Sequence, residues 1–150
     1  MIPRWYLYGL ALVAGLANAV QGGTNATLAK SLGQPFAAGL AVALGTGTTL
    51  LLVGLVSGRL SLPSLAEAAQ VPAWAWFGGC LGALVVLSQF FAAQQIGAAP
   101  FLAILVTAGV ATSIVLDHFG WIGFTVHAAS PWRIAGGLLM VAGVTLVALF

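Results

Sequence analysis

Carboxamide side chains on one face of the first apolar segment are the clearest sign of a binding site. Asn18, Gln21 and Asn25 are three and four residues apart, so a helix places all three on one side. Carboxamides donate and accept hydrogen bonds and carry no charge. We therefore predict that they bind a polar solute. The alternative is that they only form hydrogen bonds with neighbouring helices.

Two further features bear on this predicted site. Gln89 is the deepest amide of the third apolar segment, and we predict that it faces the first-segment amides and joins the solute site. Gly22 and Gly23 are adjacent in the middle of the first segment, where paired glycines weaken a helix. A break there would turn backbone carbonyls toward a cavity.

The second candidate site is the pair Asp117 and His118 at the end of the fourth apolar segment. A carboxylate beside an imidazole can exchange protons, because burial and neighbouring charge both change how readily each group ionises. We predict that this pair is a proton-coupling site. Two structural alternatives remain open, in which the pair forms hydrogen bonds with the following turn or binds Arg133.

The elements that must position these residues are membrane-spanning helices. The chain has 150 residues, of which 61% are apolar and 4% are charged, against about 25% charged residues in ordinary globular domains. Five segments approach the length of about 20 apolar residues that a span requires, at about 5–28, 36–57, 73–94, 100–117 and 132–150. The fold class is therefore an all-α membrane protein with five transmembrane helices, predicted as one domain over residues 1–150. The segment 62–74 is less apolar and is predicted to lie along the membrane interface.

The distribution of basic residues gives a weak orientation signal. Five spans place the termini on opposite sides, with Arg4, Arg59 and Arg133 on the N-terminal side and Lys30 alone on the other. The excess of basic residues on the N-terminal side favours a cytoplasmic N-terminus. A charge bias this small also permits insertion in both directions. Many transporters consist of two inverted halves around a midplane site. This chain is predicted to be one half of such a 5+5 fold, with a second copy or a paired five-helix paralogue as the other half.

Small residues supply the predicted contacts between helices, because they let helix backbones approach closely in lipid. We predict packing or dimer contacts at five glycines, which are Gly78, Gly82, Gly109, Gly136 and Gly143. Gly54 and Gly58 form a further GxxxG pair.

Several classes of function are excluded or disfavoured. The single Cys80 forms no cysteine metal site, and His118 and His127 are placed at a span end and in a loop, which does not suit haem ligation. Four basic residues divided between both membrane sides form no nucleic-acid surface. We expect no cofactor, no metal and no enzymatic activity.

The order of motifs resembles the short YdcZ-like family of bacterial inner-membrane proteins, within the drug/metabolite transporter superfamily. The resemblance covers all five segments, and its most specific part is Asp117-His118-Phe119-Gly120. Other matching motifs are Gln21…Asn25…Leu28, Pro72-Ala73-Trp74, Ile96-Gly97-Ala98-Ala99 and Arg133…Gly136…Gly143-Val144. The resemblance implies a five-helix half-transporter. The small multidrug relatives are similar in size but carry a glutamate in the first span, where this chain has only amides.

The functional prediction is a multi-pass transporter or facilitator in a bacterial inner membrane. It would work as an inverted dimer by alternating access and carry a small neutral or zwitterionic polar solute. The alternative is a non-transporting membrane subunit that packs on a partner complex, and a tightly packed apolar interior would favour it.

Overall fold

The computed structural model describes the backbone of residues 4–150 and the side chains from Trp5 onward. The side chain of Arg4, which enters the predicted charge balance, lies outside the described residues.

The described part of the chain contains helices and no strands. Five long helical stretches match the five predicted segments. The elements in order are α1 (Arg4–Leu32), α2 (Pro35–Val56), α3 (Leu65–Ala69), a 3₁₀ turn (Ala73–Phe77), α4 (Gly78–Ser88), a π-helix (Gln89–Ala93), α5 (Gln94–Ile96), α6 (Ala98–Phe119), a 3₁₀ turn (Trp121–Gly123) and α7 (Pro131–Leu149).

Four of these stretches are long and apolar enough to cross a membrane, which confirms an all-helical membrane protein. They are Pro35–Val56, Ala73–Ile96, Ala98–Phe119 and Pro131–Leu149. Helix α1 is the longest, with 29 residues, but it is not among the four. Its amides at Asn18, Gln21 and Asn25 lower its hydropathy. The fifth span therefore stays a prediction, and it depends on the same residues as the predicted site.

Local sequence explains where the spans begin and end. Helix α2 starts with Pro35 in its first turn, where the missing N–H costs least. Helix α7 starts in the same way at Pro131, and the Ser130 hydroxyl accepts a hydrogen bond from Arg133 N–H at 3.3 Å. Helix α6 ends at Gly120, which has a φ of +64°. A Cβ at this glycine would lie 2.7 Å from Val126 Cγ2, so only glycine fits under the returning loop.

Between the second and third spans, α3 is a single capped turn. The Ser64 hydroxyl accepts from Glu67 N–H at 3.3 Å, and the Glu67 carboxylate accepts from Ser64 N–H at 2.8 Å. Hydrogen bonds from the Ser64 backbone and then from its hydroxyl hold the pKa of Glu67 below its ordinary value. This turn lies within the segment 62–74, whose predicted position along the membrane interface stays a prediction.

The chain divides into two compact units, Met1–Phe91 and Ala92–Phe150. In the first unit α1, α2 and the third span pack around Ala29, Ala38 and Phe90. In the second unit α6 packs against α7, where Gly137 lies beside Ile114. The prediction of a single domain over residues 1–150 stays a prediction.

Two local predictions are wrong. Helix α1 continues unbroken through Gly22 and Gly23, so the weak helix propensity of the two glycines does not interrupt it. The Gly54–Gly58 pair does not form a helix-packing motif. Gly58 has a φ of +64° in the turn after α2, and a Cβ at Gly54 would lie 3.1 Å from Leu60 Cβ in that turn.

Candidate functional site

The most buried polar group of the first unit is an amide pair formed by Asn25 on α1 and Gln89 on the third span. Asn25 Nδ2 donates a hydrogen bond to Gln89 Oε1 at 2.7 Å. The two residues are only 5% and 2% exposed. Each carboxamide has further hydrogen-bonding capacity beyond this bond. A bond between amides 64 positions apart in the chain also fixes α1 against the third span.

The surroundings of the amide pair include a small cluster of buried apolar residues. Ala29 lies one turn after Asn25 on α1 and is buried, and Phe90 follows Gln89 and is 6% exposed. Ala38 on α2 is fully buried, and a Cβ at the neighbouring Gly39 would lie 3.6 Å from the Phe90 ring. Ala29, Ala38 and Phe90 form one apolar cluster, with Leu28, Val42, Val86 and Leu87 packed against it.

Gln89 also starts the π-helical segment Gln89–Ala93. A π-helix is an uncommon interruption of an α-helix, found mostly as single turns and frequently at functional sites. Here it separates α4 from α5 within the third span. Its residues, Gln-Phe-Phe-Ala-Ala, include no glycine or proline, so no residue type in this segment predicts a π-helix.

The other two predicted amides are not part of this contact. Asn18 is half-buried and lies seven residues before Asn25, which places it on the same helix face about 10 Å away. Gln21 is exposed. The structure therefore brings together two of the four predicted solute-binding residues. Thr107 on α6, in the second unit, is a separate buried polar residue.

The second polar cluster belongs to the second unit and joins the end of α6 to α7. We call it the loop network, and it consists of Asp117, His118, His127, Ala129 and Arg133. Arg133 Nη2 donates to Asp117 Oδ2 at 2.5 Å, and Arg133 Nη1 donates to the His127 carbonyl at 3.0 Å. The two side chains of this ion pair are 37% and 21% exposed.

The other hydrogen bonds of the loop network attach the connection 120–130 to the end of α6. His127 N–H donates to the Asp117 carbonyl at 2.8 Å. Ala129 N–H donates to His118 Nδ1 at 3.1 Å. Of the two structural alternatives for this pair, the contact between Asp117 and Arg133 is present, whereas His118 bonds Ala129 rather than the turn directly after it. These contacts do not test proton coupling, which stays a prediction.

Residues 6–146 match the sequence model of the family described as "Putative inner membrane exporter, YdcZ". The chain belongs to the YdcZ family. No curated protein and no solved structure matches it.

Membership in the YdcZ family confirms the resemblance stated from the motifs. Together with the apolar helices, it identifies a multi-pass inner-membrane protein of a transport family, whose partners include the lipid bilayer and a small-molecule substrate. The match includes both the amide pair and the loop network.

The five predicted packing glycines of this YdcZ-family chain share one property. A Cβ added at any of them would meet no described atom within 4 Å, and they are Gly78, Gly82, Gly109, Gly136 and Gly143. Among the described residues, contacts between helices use Gly39 and Gly137 instead. The five glycines therefore leave open surface on their helices.

Proposed function

We propose that the chain transports a small neutral or zwitterionic polar solute across the inner membrane by alternating access. The observation that carries this proposal is the buried amide pair Asn25–Gln89. Uncharged amides can exchange their mutual hydrogen bond for bonds to a polar solute. They offer no carboxylate to attract a hydrophobic cation, and the two acidic residues of the sequence, Glu67 and Asp117, lie outside this pair.

The proposed site extends from the amide pair along α1. Asn18 lies on the same face as Asn25 and is half-buried, and Gln21 is exposed one turn before Asn25. A solute that separates Asn25 from Gln89 would reach these amides next. The proposal requires α1 to be the fifth span, for which its 29 residues, about 43 Å of helix, are sufficient.

A single chain supplies one half of the proposed transporter, and a second copy in the opposite orientation supplies the other. A paired five-helix paralogue would serve in the same way. The five open glycines support contacts with another chain, since small residues permit close helix approach in lipid.

Helix α1 offers a further surface of this kind. Small residues recur at every fourth position and are all exposed, namely Ala11, Gly15, Ala19, Gly23, Thr27 and Ser31. Near its end an open groove of about 420 Å³ follows Gly23, Thr24, Thr27, Leu28 and Ser31. Repeated small residues at this spacing are typical of helices that pack against another helix in a membrane.

The proposed activity is tested by reconstituting the protein alone into liposomes. We expect uptake of members of a panel of neutral and zwitterionic polar solutes, and none of a hydrophobic cation. If uptake occurs only when a second protein complex is reconstituted together with this protein, the alternative function of a non-transporting subunit is favoured. Repeating the panel under an imposed pH gradient measures whether accumulation is proton-driven.

The inverted dimer leads to a prediction about orientation. Because basic residues are divided three to one between the two sides, we expect both orientations to coexist. Phe150 is fully exposed, so a cysteine at this position in a Cys80→Ala background reports the side of the C-terminus. An impermeant maleimide should label about half of the molecules from each side.

The control for this labelling is a cysteine in place of Ser31, near the C-terminal end of α1. Its labelling should be divided between the sides in the same proportion. Labelling of Phe150→Cys from one side only, in cells that lack a paralogue, would refute the inverted homodimer.

A further inference from the structure

His118 and His127 lie in the same loop network but use their Nδ1 atoms in opposite ways. His118 Nδ1 faces the Ala129 N–H at 3.1 Å. A backbone N–H can only donate, so this nitrogen must accept through its lone pair and the imidazole must be neutral. His127 Nδ1 lies 3.0 Å from the Thr125 carbonyl, which can only accept, so this nitrogen carries a proton.

Protonation therefore has different consequences at the two histidines. A proton added to His118 goes to Nδ1, removes the acceptor and places two donors against each other. A proton added to His127 goes to Nε2 and leaves the bond to Thr125 in place. Acidification is therefore expected to break the His118 contact and to leave the His127 contact in place.

The loop that this contact holds contains a strained residue. Ile122 has a φ of +57° within the 3₁₀ turn Trp121–Gly123. A β-branched residue is a true outlier in this region, and such a conformation persists only where surrounding contacts enforce it. Loss of a contact that anchors the loop would let this strain relax.

The charged and titratable groups around His118 come from each part of the second unit. Asp117 precedes it on α6, Arg133 approaches from α7, and His127 belongs to the loop. The Phe119 ring packs edge-on against the imidazole, with ring centroids 4.8 Å apart. Arg133 bonds Asp117 and the His127 carbonyl, so the ion pair holds the loop at a second point that does not need a neutral histidine.

We propose that His118 is the proton-sensitive latch of the loop 120–130. The neutral imidazole holds the segment around Ala129 against the end of α6, and protonation releases it. The Asp117–Arg133 ion pair keeps the base of the loop attached in both states. This inference does not rest on the proposed transport activity, because it concerns the mobility of the loop alone.

The test measures loop mobility by electron paramagnetic resonance on the full-length protein in lipid nanodiscs. A spin label is attached to Ala128→Cys in a Cys80→Ala background, since Ala128 is exposed and adjacent to the latch. We expect an immobilised spectrum at pH 8 and growth of a mobile component as the pH falls to 5. A label at Ala148→Cys on α7 serves as the control and should not change.

Two substitutions assign the effect to one residue. His118→Asn keeps an acceptor oxygen near the position of Nδ1 but has no titrating group, so the loop should stay immobilised throughout the pH range. His127→Asn should retain the pH dependence. The proposal is overturned if the spectrum of the labelled Ala128→Cys protein does not change with pH. It is also overturned if the pH dependence survives His118→Asn or disappears in His127→Asn.

Discussion

Replacement of Asn25 by leucine is expected to destabilise the protein and abolish its uptake activity. Gln89 is 2% exposed, and its Oε1 would lose the donor that lies 2.7 Å away. A buried polar group without a partner costs about 1–3 kcal/mol, and hydrogen bonds between helices in membranes reach about 1.7 kcal/mol. We therefore expect a loss of about 1–2 kcal/mol of stability, measured by unfolding in detergent.

A matched control is available on the same helix. Gln21 is exposed, so Gln21→Leu should leave the unfolding transition unchanged. If the proposed site includes Gln21, this variant loses uptake although it folds normally. Normal uptake in Gln21→Leu would remove this residue from the site and restrict the site to the buried pair.

The second large effect is expected at Asp117. If this carboxylate carries the coupling proton, Asp117→Asn abolishes accumulation driven by a pH gradient but permits passive exchange, because solute binding by amides needs no titrating group. The substitution also breaks the ion pair with Arg133. The two side chains are partly exposed, so we expect this loss to cost only about 1 kcal/mol. The measurement compares gradient-driven uptake with exchange at equal pH on both sides.

Arg133→Gln separates coupling from structure. It breaks the same ion pair but leaves the carboxylate of Asp117 in place. A coupling role predicts that accumulation is lost only in Asp117→Asn. If the two substitutions reduce accumulation equally, or if Asp117→Asn accumulates solute at the parental rate, Asp117 has only a structural role.

The sequence predicted the helices well because each span must satisfy its own backbone hydrogen bonds in lipid. Runs of apolar residues separated at Pro35, Gly97 and Pro131 were enough to predict the ends of the helices to within a few residues of the observed ends. The largest difference is at the end of α1, predicted at 28 and observed at Leu32. The paired glycines do not interrupt α1, since the cost of exposing the backbone outweighs their weak helix propensity.

The candidate sites were only partly predictable. Spacing alone placed Asn18, Gln21 and Asn25 on one face, but it could not show that Asn25 is buried while Gln21 is exposed. That difference depends on which face of α1 packs against α2 and the third span. The π-helix at Gln89 has no signal in its residue types, and the contact between His118 and Ala129 depends on how the intervening loop folds.

The most direct test of the proposed transport site is the double substitution Asn25→Leu with Gln89→Met. It removes both amides while roughly retaining side-chain volume, and replacing both partners of a buried hydrogen bond by apolar groups is nearly neutral for stability. We predict that the double variant regains the stability lost in Asn25→Leu but shows no uptake in liposomes that contain it alone. Recovery of uptake together with stability would show that the amide pair only holds the helices together, and would contradict the proposed site.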